Sequence, residues 1–357
     1  MRKITYTGKT DKGRWRSNNE DAFVVQSIWD DEHVLGIVID GVGGYDGGER
    51  AAAIARETIV AYLEEYPNGE RCDLLKQAVV EANNTIVEER NACKQFPNMS
   101  CVLTACLLEL EKKRINMVHV GDTRLYQFRN NELKKLSHDH SLVGYREEIG
   151  SLTEEEAMNH PQRNLISRLV GDERHQADDS DFLEAAIFPL LPDTTLLLCS
   201  DGLSDMLTGA EIMSAMQQDV SLEEKADNLI QAANDKGGKD NITVVLIDYL
   251  CDEAQSEEPE TVVVKATGEP IPPVIETSAN NKKNNRMKTG VGFLLLGIVL
   301  GVAGCFIYSN LPDAFRLAAA SRAAPPDTPK DTLIFKIDNT CAVRIIGAEL
   351  KTDTISP

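Results

Sequence analysis

Apolar residues fall along this chain in two kinds of pattern. Short, nearly unbroken runs mark buried strands: Val34 to Ile39, CVLTACLLEL (101–110), TTLLLC (194–199) and ITVVLIDYL (242–250). ITYTGK and AFVVQSIW near the start, INMVHV (115–120) and DFLEAAIF (181–188) read as further strands. CVLTACLLEL and INMVHVGD form a hairpin across the charged turn EKKR, and LYQFR, the turn Asn130-Asn131 and ELKKLS continue that sheet. Helical spacing replaces these runs over Glu49–Tyr66 and Asp73–Asn91, and again over Thr208–Gln217 and Leu222–Asp235. Strands in two groups with helices outside them predict the α+β class. The architecture expected is a four-layer αββα sandwich of two mainly antiparallel sheets. Residues 139–175 lose strand character and read as a functional loop inserted in a β-rich domain.

The pattern changes after Leu250. Residues 251–288 are rich in Glu, Pro and Thr and then in basic residues, the composition of a linker without a core. Thr289 to Ser309 carries no charge, and about 20 such residues span a bilayer as a helix. Lys282, Lys283, Arg286 and Lys288 before it place the N-terminal side in the cytoplasm. The expected organisation is a catalytic domain at 1–250, a linker at 251–288, a transmembrane helix at 289–309 and an extracytoplasmic tail at 310–357. That makes a single-pass protein of the cytoplasmic (inner) membrane. The first residues hold no apolar run of a secretory signal.

A formal charge of −20 argues against nucleic acid as a partner, because phosphate contacts need clustered Lys and Arg. The eight cysteines show no metal-ligand spacing and read as reduced core residues. Against that background the acids at strand ends stand out. HVLGIVIDGVGGYDGGER (33–50) ends a buried strand in Asp40-Gly41, and TTLLLCSDGL ends another in Asp201-Gly202. Asp21 and Asp240 each precede a strand, Asp122 follows one, and Asp139 heads the irregular insertion. Carboxylates that converge on one sheet edge need cations between them. An all-oxygen set favours Mg²⁺ or Mn²⁺ over Zn²⁺, and Gly41 lets a main-chain carbonyl approach such an ion. Two ions bridged by one carboxylate can hold a water and aim it at phosphorus, while Arg16 supplies a planar fork for phosphate oxygens.

R-x-x-x-E-D (16–21), D-G-x-G-G (40–44), G-D-T-R (121–124), D-H-S (139–141), S-D-G (200–202) and D-N (240–241) occur in this order. Together they resemble the motif set of the bacterial 2C-type metal-dependent Ser/Thr protein phosphatases (the PPM family), over about residues 4–248. The segment LTEEEAMNHPQRNLISRLVG (152–171) is similar to the flap of bacterial members. The resemblance implies hydrolysis of phosphoserine and phosphothreonine by direct attack of metal-bound hydroxide, with two catalytic Mn²⁺ or Mg²⁺ ions. By the same resemblance Asp40 bridges the two metals and the Gly41 carbonyl binds the second. Asp201 and Asp240 complete the first, Glu20 and Asp21 hold metal-bound waters, and Arg16 binds the substrate phosphate. Asp139, with Asp201, is implied to bind a third, weaker metal. Asp122 and Arg124 are read as bracing a loop behind the site, and Asp205 as a helix-entry residue. Val42 stands where animal members have a histidine proposed as general acid, which leaves the proton donor open. His138 and His140 flank Asp139 as polar loop residues. Phosphorylated proteins and an opposing Hanks-type Ser/Thr kinase are the implied partners. A catalytically inactive phosphoprotein-binding or signalling scaffold, and a hydrolase of small phosphoesters, are the alternatives.

Overall fold

The computed structural model describes residues 2–42, 47–92, 96–179, 181–251, 334–337 and 343–346. The expected linker, the expected transmembrane helix and most of the expected tail lie outside the described residues. Among the described residues no helix is long and apolar enough to cross a membrane. The chain divides into two units, Met1–Ile271 and Pro272–Pro357.

In the first unit the strands are β1 (Arg2–Asp11), β2 (Ala22–Ser27), β3 (His33–Val42), β4 (Ser100–Glu109), β5 (Arg114–Val120), β6 (Arg124–Arg129), β7 (Glu132–Lys135), β8 (Glu184–Pro189), β9 (Thr194–Cys199) and β10 (Ile242–Cys251). The helices are α1 (Gly47–Glu65), α2 (Arg71–Ala92), α3 (Leu142–Glu148), α4 (Glu154–Met158), α5 (Asp201–Ser204), α6 (Gly209–Met216) and α7 (Leu222–Asp235). One sheet has the order β1-β10-β9-β6-β7 and the other β2-β3-β4-β5-β8, with every pairing antiparallel. The α+β sandwich read from the sequence is therefore what the chain forms.

Each central strand is apolar on both faces because each face meets a different partner. On β3, Val34 and Val38 enter the core between the sheets, while Leu35, Ile37 and Ile39 pack under α1 and α2. On β10, Val245 and Ile247 face the other sheet, and Val244 and Leu246 face α6 and α7. Period-2 alternation is hidden in such strands, which is why they read as continuous runs. The helices on the outer layer start where their sequences allow. Thr208 and Ser221 each form a capping box with the glutamate three residues later, opening α6 and α7.

One expectation fails. β6 and β7 do not continue the sheet of β4 and β5. They join β9 in the opposite sheet. The hairpin of β6 and β7 forms as expected, with Asn130 and Asn131 at φ of 51° and 61°. Local pattern specifies that hairpin, but which sheet it joins depends on the partner strand β9, some seventy residues later. In the second unit, β11 (Ile334–Ile337) and β12 (Val343–Ile346) pair as an antiparallel hairpin.

Candidate active site

The ends of the two sheets bring the strand-end acids together. Asp40 lies near the end of β3, and the register Ala22↔Ile39 puts Asp21 beside it, just ahead of β2. In the opposite sheet, Asp201 opens α5 immediately after β9, and Asp240 lies two residues before β10. Ser200 bonds to the facing strand through its N–H to the Thr243 carbonyl, so Asp201 and Asp240 sit on neighbouring chain segments. Asp21 reaches across: its Oδ2 accepts from Ser200 Oγ at 2.8 Å and from Thr243 Oγ1 at 2.6 Å. Gly41 is required here by close approach, since a Cβ would fall 2.6 Å from the Glu20 carbonyl oxygen and against the backbone of Gly48.

The loop carrying Arg16 is pinned to the segment carrying Asp240. Asn241, buried, donates from Nδ2 to the carbonyls of Lys12 (3.0 Å) and Asn18 (2.9 Å), and its Oδ1 accepts from the Glu20 N–H at 2.9 Å. The N–H groups of Arg14 and Trp15 both donate to the Gly238 carbonyl. Arg16 Nη2 then bonds Asp240 Oδ2 at 2.7 Å. Burial pulls the Arg16 pKa down, but Asp240, with Glu20 and Asp40, outweighs it and holds the guanidinium above its ordinary value.

This many carboxylates with one guanidinium cannot all be ionised. Burial first, then the charges of Asp21 and Asp201, push Asp40 well above the usual carboxylate range. Asp201 is pushed up likewise, by burial and then by Asp122, Asp205 and Asp240. Burial raises Asp21 to about 7 even though the hydroxyls of Thr243 and Ser200 favour its ionised form. Two buried oxygens, Asp21 Oδ1 and Asp201 Oδ1, have no hydrogen-bond partner in the structure. Orphaned acceptors in an all-oxygen cluster fit hard divalent cations, so the residues present suit the metals the motifs imply.

Asp139, expected to bind a third metal, is paired with two cations: Arg124 donates to its Oδ2 from Nε (3.0 Å) and Nη2 (2.7 Å), and Lys135 Nζ lies 3.2 Å from its Oδ1. Those cations outweigh the effect of burial and hold Asp139 below its ordinary pKa. Asp122, expected only to brace a loop, is the carboxylate that faces Asp201. Burial, then Asp139 and Asp205, raise it to about 7. Asp122, Asp139, Asp201 and Asp205 all line a cavity of about 30 Å³ beneath the flap, enough for one water-sized body. The flap covers it through Arg163, whose Nε bonds Asp205 Oδ2 at 2.8 Å, and through Glu154 Oε1, which accepts from Gly209 N–H at 2.7 Å. Asp205 thus anchors the flap, which its place at a helix entry did not suggest.

Both histidines beside Asp139 are engaged with protein partners. His140 is held down to about 2 by burial and by the neighbouring His119 and Arg168, and its Nδ1 accepts from the Gly121 N–H. His119 Nε2 lies 3.0 Å from the Gly121 carbonyl and its Nδ1 2.9 Å from Thr104 Oγ1. With Glu184 these two rings form a group of metal-ligand type, but one nitrogen of each is engaged in holding Gly121, one residue before Asp122. His138 is paired with Glu184 at 2.7 Å on the surface.

A two-sheet sandwich with convergent acids and one arginine at the sheet ends defines a metal-dependent phosphatase type. The chain belongs to the protein phosphatase 2C family, which matches residues 13–246. It is 35% identical over 248 residues to the serine/threonine phosphatase stp of Listeria welshimeri, covering 67% of this chain and 94% of that one. It is 33% identical over 247 residues to the serine/threonine protein phosphatase PstP of Mycobacterium tuberculosis, covering 69% of this chain and 45% of the longer relative. The crystal structure of the M. tuberculosis phosphatase PstP superposes with a TM-score of 0.60 at 32% identity, over 69% of this chain and 98% of that one. The PstP catalytic domain in complex with two manganese ions superposes at 0.61 and 29% identity, over 70% and 100%.

Proposed function

We propose that residues 1–250 form a Mn²⁺- or Mg²⁺-dependent phosphatase acting on phosphoserine and phosphothreonine of proteins. The observation that carries this reading is the meeting of Asp21, Asp40, Asp201 and Asp240 at one end of the sandwich, two of them with orphaned oxygens, beside Arg16. Asp40 with the Gly41 carbonyl, Asp201 and Asp240 would hold two cations, and Glu20 and Asp21 their waters. A third, weaker cation would lie in the cavity that Asp122, Asp139 and Asp201 line together. When bound, the cations neutralise the carboxylates, lower the pKa of a water and polarise the phosphoryl group. Arg16, on a loop that Asn241 holds in place, orients the phosphate by its planar fork. Val42 offers no proton and His140 stays neutral and bonded, so the alcohol's proton comes from neither.

The uncharged run from Thr289 to Ser309 supports a single membrane-spanning helix with the catalytic domain in the cytoplasm. In that setting the opposing enzyme is a Hanks-type Ser/Thr kinase that phosphorylates the same proteins.

The full chain with Mn²⁺ should release phosphate from a phosphothreonine peptide and stop with EDTA. Asp40→Asn should lower kcat by about a thousandfold or more, the scale of losing a group that positions charge in the transition state. Metal-loaded protein inert on every phosphoester would leave only the scaffold reading. A reporter fused after Ser309 should act outside the cytoplasm, and activity confined to the cytoplasm would reverse the proposed topology.

A further inference from the structure

Arg14, Trp15 and Arg16 stand in a row on the loop between β1 and β2, and all three are exposed. Trp15 is the most exposed large apolar side chain among the described residues, at 77%. It is not on a loose tail. Gly13, at φ +75°, lets the loop pass against the backbone of Gly238 and Asp240. The next two N–H groups then share the Gly238 carbonyl, at 2.7 and 3.3 Å. With Asn241 bonded to Lys12 and Asn18 on either side, the tip is fixed in place. A rigid loop therefore holds an indole in water one residue from the arginine that reaches the acidic site.

Trp15 and Arg16 are adjacent, their Cα atoms about 3.8 Å apart, so a chain held by Arg16 at one residue passes within reach of the indole. Arg14 makes no side-chain ion pair among the described residues, in a chain of net charge −20. Its cation is open to an anion that comes from outside.

We propose that Trp15 and Arg14 are specificity-determining residues: Trp15 packs against the chain flanking the phosphorylated residue, and Arg14 pairs with a carboxylate or second phosphate beside it. The favoured substrate is thus a phosphorylated segment, in extended conformation, with acidic neighbours. This rests on the reading of the site as a protein phosphatase. A small phosphoester, having no flanking chain, gains nothing from either residue.

The test compares kcat/KM of the full chain with Mn²⁺ on three substrates: p-nitrophenyl phosphate and two phosphothreonine peptides, one flanked by alanines and one by acids. Trp15→Ala should lower the ratio of peptide to p-nitrophenyl phosphate about tenfold, the scale of covering part of an indole. Arg14→Gln should reduce the preference for the acidic peptide about threefold, more at low salt, as for an exposed ion pair. A binding readout avoids turnover. The chain has two tryptophans, and Trp29 is occupied elsewhere, donating from Nε1 to the Leu63 carbonyl. In Asp40→Asn protein the acidic phosphopeptide should shift tryptophan emission to the blue, and adding Trp15→Ala should abolish that shift. Unchanged ratios in both variants, or a shift that survives loss of Trp15, would overturn the proposal. An unaltered chain that cleaves p-nitrophenyl phosphate but no phosphopeptide would overturn both the proposal and the reading beneath it.

Discussion

Replacing Asp21 by asparagine isolates the electrostatic strain that the site imposes on the fold. Burial, opposed by the hydroxyls of Thr243 and Ser200, raises this carboxyl to about 7, against about 3.9 in an unfolded chain. About three pH units at about 1.4 kcal/mol each give an upper bound of about 4 kcal/mol. The sign follows from proton binding. Below about pH 4 both states hold the proton and the site costs nothing. Above it the unfolded chain releases its proton first, so the metal-free fold loses about 1.4 kcal/mol per pH unit until about pH 7, where the loss levels off. Asp40 and Asp201, pushed up by the same burial, are present in both proteins, so the comparison rests on the difference between the two. Asparagine keeps the shape and an acceptor for Ser200 and Thr243 but has no proton to lose. Thermal unfolding of both proteins in EDTA from pH 4.5 to 8 is the assay. The variant's advantage should grow with pH and approach about 10 °C at pH 8, taking about 2–4 °C per kcal/mol. Adding Mn²⁺ should shrink the advantage by rewarding the ionised carboxylate in the unaltered chain. An advantage that is constant between pH 5 and 7 would refute the argument.

Arg124→Met leaves the buried Asp139 carboxylate with Lys135 alone. Unfolding in urea should show a loss of about 3–5 kcal/mol, most of it recovered by adding Asp139→Asn. Asn83→Ala should cost about 2–3 kcal/mol, because this buried carboxamide accepts from the Gly171 N–H and donates to the Glu173 carbonyl at the flap's exit, leaving both unpaired. Asn83→Asp should cost at least as much at neutral pH, because it keeps the bond from Gly171 but turns a buried, unpaired carboxylate oxygen toward the Glu173 carbonyl.

Some of this protein is written locally. Runs such as Val34–Ile39 and Thr194–Cys199 specify buried strands because only a strand covered on both faces can carry so many consecutive apolar residues. Leu222–Asp235 is a helix with the limits its periodicity predicts, because Ser221 and Glu224 close a capping box at its start. Asp40, Asp201 and Asp240 were legible as site candidates for a related reason: a carboxylate ending or preceding a buried strand has to emerge at a sheet edge.

Other features lay beyond any local signal. Asp122 and Asp139 look alike in sequence, each a lone acid near a strand end. What separates them is Arg124, fifteen residues before Asp139, whose guanidinium pairs with that acid, while both line the cavity with Asp201. The strand Arg124–Arg129 has the pattern of its neighbours, yet joins the far sheet because β9 offers it an edge. Asn241 stood in a two-residue motif beside a more conspicuous aspartate, and its three bonds to the Arg16 loop exist only once β1 and β10 are paired. The sequence by itself determined the elements, the class of fold and most of the acids, since these depend on periodicity and on residue type. Only the tertiary structure decided which acid Arg124 pairs with, which sheet each strand joins and what holds Arg16. Those outcomes depend on pairings between residues far apart in the chain, where charge and hydrogen-bond satisfaction are settled across space.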